Sequence, residues 1–178
     1  MDAAETRDEL APDDELAPLI ALASTIQETM IERGLTLTTA ESCTGGLIAH
    51  VLTEISGSSD YFVGGLVSYS NNLKEHELGV EGDTLARHGA VSAQTCVAMA
   101  QGARDRYGAD VAVAVTGVAG PGGGSDAKPV GLTYVGIADE EGHDVRRFVW
   151  ADDRHGNKLR SAQAALMLVL ERLDAPRG

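Results

Sequence analysis

The residue of this 178-residue chain best suited by type and neighbours to do chemistry is the serine in Thr39-Ala40-Glu41-Ser42-Cys43-Thr44-Gly45-Gly46. A serine at a strand-to-helix turn can point its hydroxyl outward as a nucleophile. The Thr44, Gly45 and Gly46 that follow let backbone N–H groups approach an oxyanion or a phosphate. A serine hydroxyl also needs a base within hydrogen-bond reach. Tyr69-Ser70-Asn71-Asn72-Leu73-Lys74 offers one, because a lysine beside a serine becomes a base when burial lowers its pKa. Tyr69 and Lys74 flank a strand–helix junction and could line the same pocket. A third stretch, Thr116 to Gly124, leads into Lys128-Pro129-Val130-Gly131. Its backbone amides, at Gly120, Gly122 and Gly123 among others, could cradle a phosphate or a carboxamide oxygen. Arg154 and Arg160, near the last helix, could reach a phosphate.

Each signal has a plainer reading. Taken on position alone, Ser42 or Thr44 is more readily a helix cap than a catalyst. Lys74 could be solvated, Tyr69 packed at a sheet edge, the glycine loop a flexible connection, and the arginines surface salt bridges. Several known motifs are absent. Ser42 lies in no G-x-S-x-G elbow, and the glycine loop has no G-K-[ST] and runs into a strand rather than a helix. His50, His76, His88, His143 and His155 lack metal-ligand spacing, so neither a metal nor a cofactor is expected. A phosphatase would need a carboxylate cluster for metal, and the acidic residues are scattered.

The elements that must position these residues follow from periodicity. Apolar residues at helical spacing run from Leu16 to Arg33, with Gly34 as the stop. Leu35 to Thr39 reads as a strand, Thr44 to Ile55 as a helix, Gly57 to Asp60 as a turn, and Phe62 to Tyr69 as a strand. A short helix is predicted over Asn72 to Leu78. Ser92 is a good N-cap for a helix from Ala93 to Tyr107. Asp110 to Thr116 alternates Val and Ala, like a strand buried on both faces. Val130 to Ala138 and Asp144 to Trp150 form a hairpin around Glu140-Glu141-Gly142, and Lys158 to Leu173 is a closing helix. Helices interleaved with strands predict an α/β fold, a three-layer α/β/α sandwich on a mixed, mostly parallel sheet.

Bulk properties bound the function. The net charge is −13 with a pI near 4.6. That argues against nucleic-acid and anionic-membrane partners. Lys74, Lys128 and Lys158 are the only lysines. An acidic, lysine-poor surface suits a high-salt cytosol and equally suits ordinary solubility. Cys43 and Cys96 form no C-x-x-C pair, and no signal peptide is visible, so a reduced cytoplasmic setting is expected. Residues 1–15 read as an acidic flexible tail and 16–174 as one domain.

Taken in order, these segments are more specific than any one alone. The series is Thr39 to Gly46, Gly57-Ser58-Ser59 with Tyr61-Phe62, Tyr69-Ser70-Asn71 with Lys74, Leu78-Gly79-Val80, His88 to Ser92, Thr116 to Pro121, and Lys128 to Gly131. The chain resembles the CinA C-terminal domain family, whose characterised members are nicotinamide-nucleotide amidohydrolases, from Leu16 to Leu173. The resemblance implies a homo-oligomeric stand-alone enzyme that deamidates nicotinamide mononucleotide, a small-molecule nucleotide, without a metal. It implies Ser42 as nucleophile, Tyr69 and Lys74 assisting proton transfer, and Thr116 at the pocket edge. The family often carries Gly-Asp-Arg where this chain has Asp152-Asp153-Arg154. The alternative is a non-catalytic nucleotide-binding module of the same fold. The combination of Ser42, Tyr69 and Lys74 favours the enzyme.

Overall fold

A computed structural model of the protein describes residues 15–175. The tail expected over residues 1–15 lies, apart from Glu15, outside the described residues. The strands are β1 (Leu37–Glu41), β2 (Phe62–Val67), β3 (Val111–Gly117), β4 (Leu132–Asp139) and β5 (Gly142–Val149). The helices are α1 (Ala17–Arg33), α2 (Leu47–Thr53), α3 (Asn71–Leu78), α4 (Gly82–His88), α5 (Ala93–Tyr107) and α6 (Arg154–Asp174). A single 3-10 turn covers Ser58–Asp60, where the sequence predicts a turn.

The five strands form one mixed sheet in the order β2-β1-β3-β4-β5. β1 pairs in parallel with β2 and β3, whereas β4 runs antiparallel to both β3 and β5. The parallel strands β2, β1 and β3 therefore end on the same side, and that shared C-terminal edge is where open α/β sheets collect their functional side chains.

β3 shows why the sandwich closes. Val111, Val113 and Val115 face one way, into a core built from α1, α2 and α6. Ala112 and Ala114 face the other way, against α5 and Leu78, Val80 and Leu85. The alanine face leaves room for close helix packing. At Gly102 of α5, an added Cβ would sit 1.7 Å from the Leu78 carbonyl oxygen, so α5 and the end of α3 meet backbone to backbone.

Element boundaries differ from expectation for local reasons. β1 starts at Leu37 because the Leu35 N–H donates to the Met30 carbonyl at 2.9 Å and is spent closing α1. α2 starts at Leu47, three residues late, because Gly45 (φ 65°) and Gly46 (φ 97°) are left-handed. α6 starts four residues early, since the Asp153 side chain accepts the Gly156 N–H at 2.8 Å and caps it. α4 is an addition. It has a glycine at its first position and buries only Leu85, so it carries no apolar stripe for periodicity to detect.

Candidate active site

Ser42 leaves β1 at the C-terminal edge of the sheet, its N–H held by the Val115 carbonyl at 2.9 Å. It is half-buried and does not cap α2. The carboxylate of Glu41 does that work instead, accepting the N–H groups of Gly46 (3.0 Å), Ile48 (3.1 Å) and Ala49 (2.9 Å). Glu41 is buried, and three N–H donors at a helix start are what a buried carboxylate needs to remain paired. The Thr44 hydroxyl is buried with no hydrogen-bond partner, so it does not cap either. Capping by a residue that precedes the turn leaves the serine hydroxyl available.

Lys74 lies against that hydroxyl. Its ammonium donates to Ser42 Oγ at 3.1 Å and to the Ser68 carbonyl at 2.5 Å. Ser70 caps α3 by accepting the Leu73 N–H, which sets Lys74 on the inward face of the first turn. Ser68 is tied to β1 through its N–H, which donates to the Glu41 carbonyl at 2.8 Å. Lys74 is 1% exposed, and desolvation pulls its pKa below the ordinary lysine value, opposed by the neighbouring Cys43. A lysine so placed gives up its proton more readily than a solvated one.

Cys43 is the other nucleophile type in the turn. Burial pushes its thiol up to about 12, so it stays protonated and inert. The N–H groups of Cys43 and Thr44 both approach its sulfur. The remaining turn amides are committed, Gly45 to the Ser42 carbonyl at 3.1 Å and Gly46 to Glu41. Neither glycine amide is therefore open to an oxyanion, contrary to expectation. Their contribution is the left-handed turn itself.

Tyr69 is 61% exposed, and its hydroxyl accepts from Arg154 at 3.1 Å rather than meeting Ser42 or Lys74. The other arm of Arg154 donates to the Gly120 carbonyl at 2.7 Å, so Arg154 links the glycine loop to the β2 side of the site. Thr116 is buried beside the Ser42 turn, with its hydroxyl on the Ala90 carbonyl at 2.7 Å. Gly117, next along β3, has no room for a side chain: a Cβ would stand 3.1 Å from Cys43 Sγ. Lys128 reaches the His88 carbonyl at 2.6 Å, pinning the far end of the loop to the segment before α5. Gly122 and Gly123 lie on the exposed outer limb and touch none of these groups.

A cavity of about 640 Å³ opens beside the turn, lined by Ala119, Pro121 and Val130 and, before and along the first turn of α6, by Asp152, Asp153, Arg154, His155 and Lys158. Ser42 and Lys74 are not among its lining residues. Lys158 joins the two regions, since its ammonium lies 3.8 Å from where a Gly45 Cβ would be. Buried Asn157 fixes this corner, donating to the Ala119 and Asp152 carbonyls at 3.0 Å each. The start predicted for α6 hid Lys158: with the helix beginning at Arg154, the two share a face at i, i+4. Among the described residues, no group of three or more His, Cys, Asp or Glu side chains is arranged for a metal. No described helix is long and apolar enough to cross a membrane.

The profile of the CinA C-terminal domain matches residues 19–173. A CinA-like protein of Chloroherpeton thalassium is 51% identical over 155 residues, covering 84% of this chain and 37% of the relative. One from Geobacter sulfurreducens is 52% identical over 142 residues, 80% of this chain and 34% of the relative. The chain thus spans about a third of the length of these curated relatives. Among solved structures, the competence/damage inducible protein CihA of Agrobacterium tumefaciens superposes with a TM-score of 0.84 at 44% identity, covering 89% of this chain and 97% of that one. A competence-damaged protein (CinA) superfamily protein of Escherichia coli gives 0.84 at 32% identity, covering 93% and 94%.

Proposed function

The chain belongs to the CinA C-terminal domain family, and from that premise and the site geometry we propose that it hydrolyses the carboxamide of nicotinamide mononucleotide, releasing ammonia. The observation that carries the proposal is the buried Lys74 ammonium 3.1 Å from Ser42 Oγ, at a turn whose capping falls to Glu41. Geometry and a lowered pKa together are what a serine–lysine pair requires.

Ser42 Oγ attacks the amide carbon while its proton passes to neutral Lys74. Lys74 returns that proton to the departing nitrogen, which leaves as ammonia. Water then attacks the acyl ester, Lys74 takes its proton, and the proton is handed back to Ser42 as nicotinate mononucleotide departs. The N–H groups of Cys43 and Thr44 are assigned to the tetrahedral oxyanion. They face only a neutral thiol, a weak acceptor. One such donor is worth about 3 kcal/mol of barrier. Tyr69 acts through Arg154 and holds the rim rather than moving a proton. Incubation of the purified protein with nicotinamide mononucleotide should release ammonia, and Ser42→Ala should release none above background. Turnover of the variant at the wild-type rate would remove Ser42 from the mechanism. Tight nucleotide binding with no ammonia from the wild type would favour a binding module.

A further inference from the structure

We infer that Lys128 is a positioning residue, a latch that ties the outer limb of the glycine loop to the connection between α4 and α5 and so holds one wall of the cavity in place for a ligand of the serine turn. The kinetic consequence rests on the deamidase reading, and the latch itself does not.

The loop covers residues 119–130, between the paired ends of β3 and β4. There the Gly131 N–H donates to the Val118 carbonyl at 2.7 Å and the Val118 N–H to the Leu132 carbonyl at 2.8 Å. Ala119, Pro121 and Val130 line the cavity. The near end of the loop is fixed to α6, by Asn157 on the Ala119 carbonyl and by Arg154 on the Gly120 carbonyl. The limb beyond, residues 121–127, is exposed along its length. Among the described residues 121–128, Lys128 alone hydrogen-bonds to a segment outside the loop. An exposed limb with a single tie depends on that tie for its position.

Both sides of the contact are built for it. On the loop side, Pro129 restricts the Lys128 backbone to extended conformations. Ser125 and Lys128 also exchange backbone hydrogen bonds at 2.8 and 3.1 Å, and the Ser125 hydroxyl accepts the Lys128 N–H at 3.1 Å. The side chain therefore leaves a fixed turn. On the receiving side, three successive carbonyls are each held by a side chain. His88 accepts the Lys128 ammonium at 2.6 Å, Gly89 accepts the hydroxyls of Ser92 and Thr95 at 3.1 and 2.8 Å, and Ala90 accepts that of Thr116 at 2.7 Å. Thr116 belongs to β3, so the anchor is tied to the strand beside the serine turn. Gly89 admits the ammonium: its φ is 75°, and a Cβ there would stand 2.7 Å from Lys128 Nζ. The acceptor is a neutral carbonyl, so the latch works without any charge on the ligand. It should serve phosphorylated and unphosphorylated amides alike, which a contact to phosphate would not.

The test uses the full chain with Lys128→Met and Gly89→Ala. Backbone order parameters are measured by NMR relaxation, and ammonia release is followed from nicotinamide mononucleotide and from its dephosphorylated nucleoside. In the wild type the amides of residues 122–127 should stay near the rigid-backbone value of about 0.85, and in Lys128→Met they should fall below about 0.6 with the strands unchanged. Gly89→Ala should move the same loop amides in the same direction, because its Cβ displaces the ammonium. KM should rise roughly 10-fold for both amides in Lys128→Met, with kcat nearly unchanged, because the loop must then be ordered on binding. Loop order parameters equal in wild type and Lys128→Met overturn the latch. A KM rise confined to the nucleotide makes Lys128 a ligand contact instead, and KM unchanged for both amides removes its positioning role. If the wild type releases no ammonia from either amide, the deamidase reading falls, and the order parameters still decide whether Lys128 holds the loop.

Discussion

Arginines and lysines are used differently in this molecule. Arg87, Arg106, Arg146, Arg160 and Arg172 each hold a carboxylate, with Asp83, Glu77, Glu171, Asp152 and Asp139 as partners, while Arg33, Arg104 and Arg154 donate to neutral oxygens. Among the described residues, Lys74, Lys128 and Lys158 hold none: two donate to neutral oxygens and the third donates to nothing. All three lysines border the serine turn or the glycine loop that follows β3. An acidic surface offers carboxylates everywhere, so three unpaired ammonium groups gathered at one sheet edge mark the place where charge is kept for something other than the fold. Paired cations serve packing and solubility, while unpaired ones cost stability and are retained for binding and proton transfer.

That contrast is open to direct attack. The largest effects should come from the serine turn. Ser42→Ala should lower ammonia release about 10⁴-fold or more, and Lys74→Met about 10³-fold. Melting curves of Lys74→Met should show a protein at least as stable as the wild type, because a buried ammonium is exchanged for an apolar chain of similar length. A marked fall in melting temperature would make Lys74 a structural residue.

The pH dependence follows from the lowered pKa of Lys74. Its folded value lies below its unfolded one, so between the two the unfolded chain binds the extra proton. Stability then rises with pH through that interval, and the cost of the buried charge is greatest below it. The deamidation rate should rise over the same lower limb as Lys74 becomes neutral. A pH–rate profile flat throughout the range below the ordinary lysine value would exclude Lys74 as the base.

An intermediate effect is expected at Glu41, a positioning residue. Glu41→Gln keeps the shape but opposes an N–H₂ to helix N–H groups. It should cost about 1–3 kcal/mol in denaturant titrations and about 10-fold or more in kcat, with KM less affected. At the paired arginines the sign reverses. Arg172→Ala removes a double hydrogen bond to Asp139, whose side chain is 10% exposed. It should cost about 1–2 kcal/mol of stability and no activity. Arg87→Ala, whose pair is 74% and 80% exposed, should cost under about 0.5 kcal/mol.

The elements were largely legible because their signals are local. Gly34 stops α1, Ser92 caps α5, and the Val–Ala alternation of β3 divides the two cores. The meeting of Ser42 and Lys74 was legible as a pairing of residue types at a strand–helix junction, though 32 positions separate them. What escaped was tertiary. Glu41 stood inside the motif with no role, because a carboxylate that turns back onto the following helix looks like any strand-end acid. Tyr69 was expected beside the base, and only the fold shows Arg154 claiming its hydroxyl. Lys158 was missed with the first turn of α6, where Gly156 interrupts the helical pattern. The amides of Gly45 and Gly46 looked free because their acceptors, the Ser42 carbonyl and Glu41, depend on the turn being formed.

The backbone contact at Gly102 reaches further than packing. α3 carries Lys74 near its first turn and rests at its last residue, Leu78, against a glycine of the neighbouring helix α5. A single methyl there would lever the helix outward, and the lysine with it. The gap between Lys74 and Ser42 is thus gauged by a residue that touches neither, and a defect introduced at Gly102 would widen it while leaving both residues unchanged in the sequence.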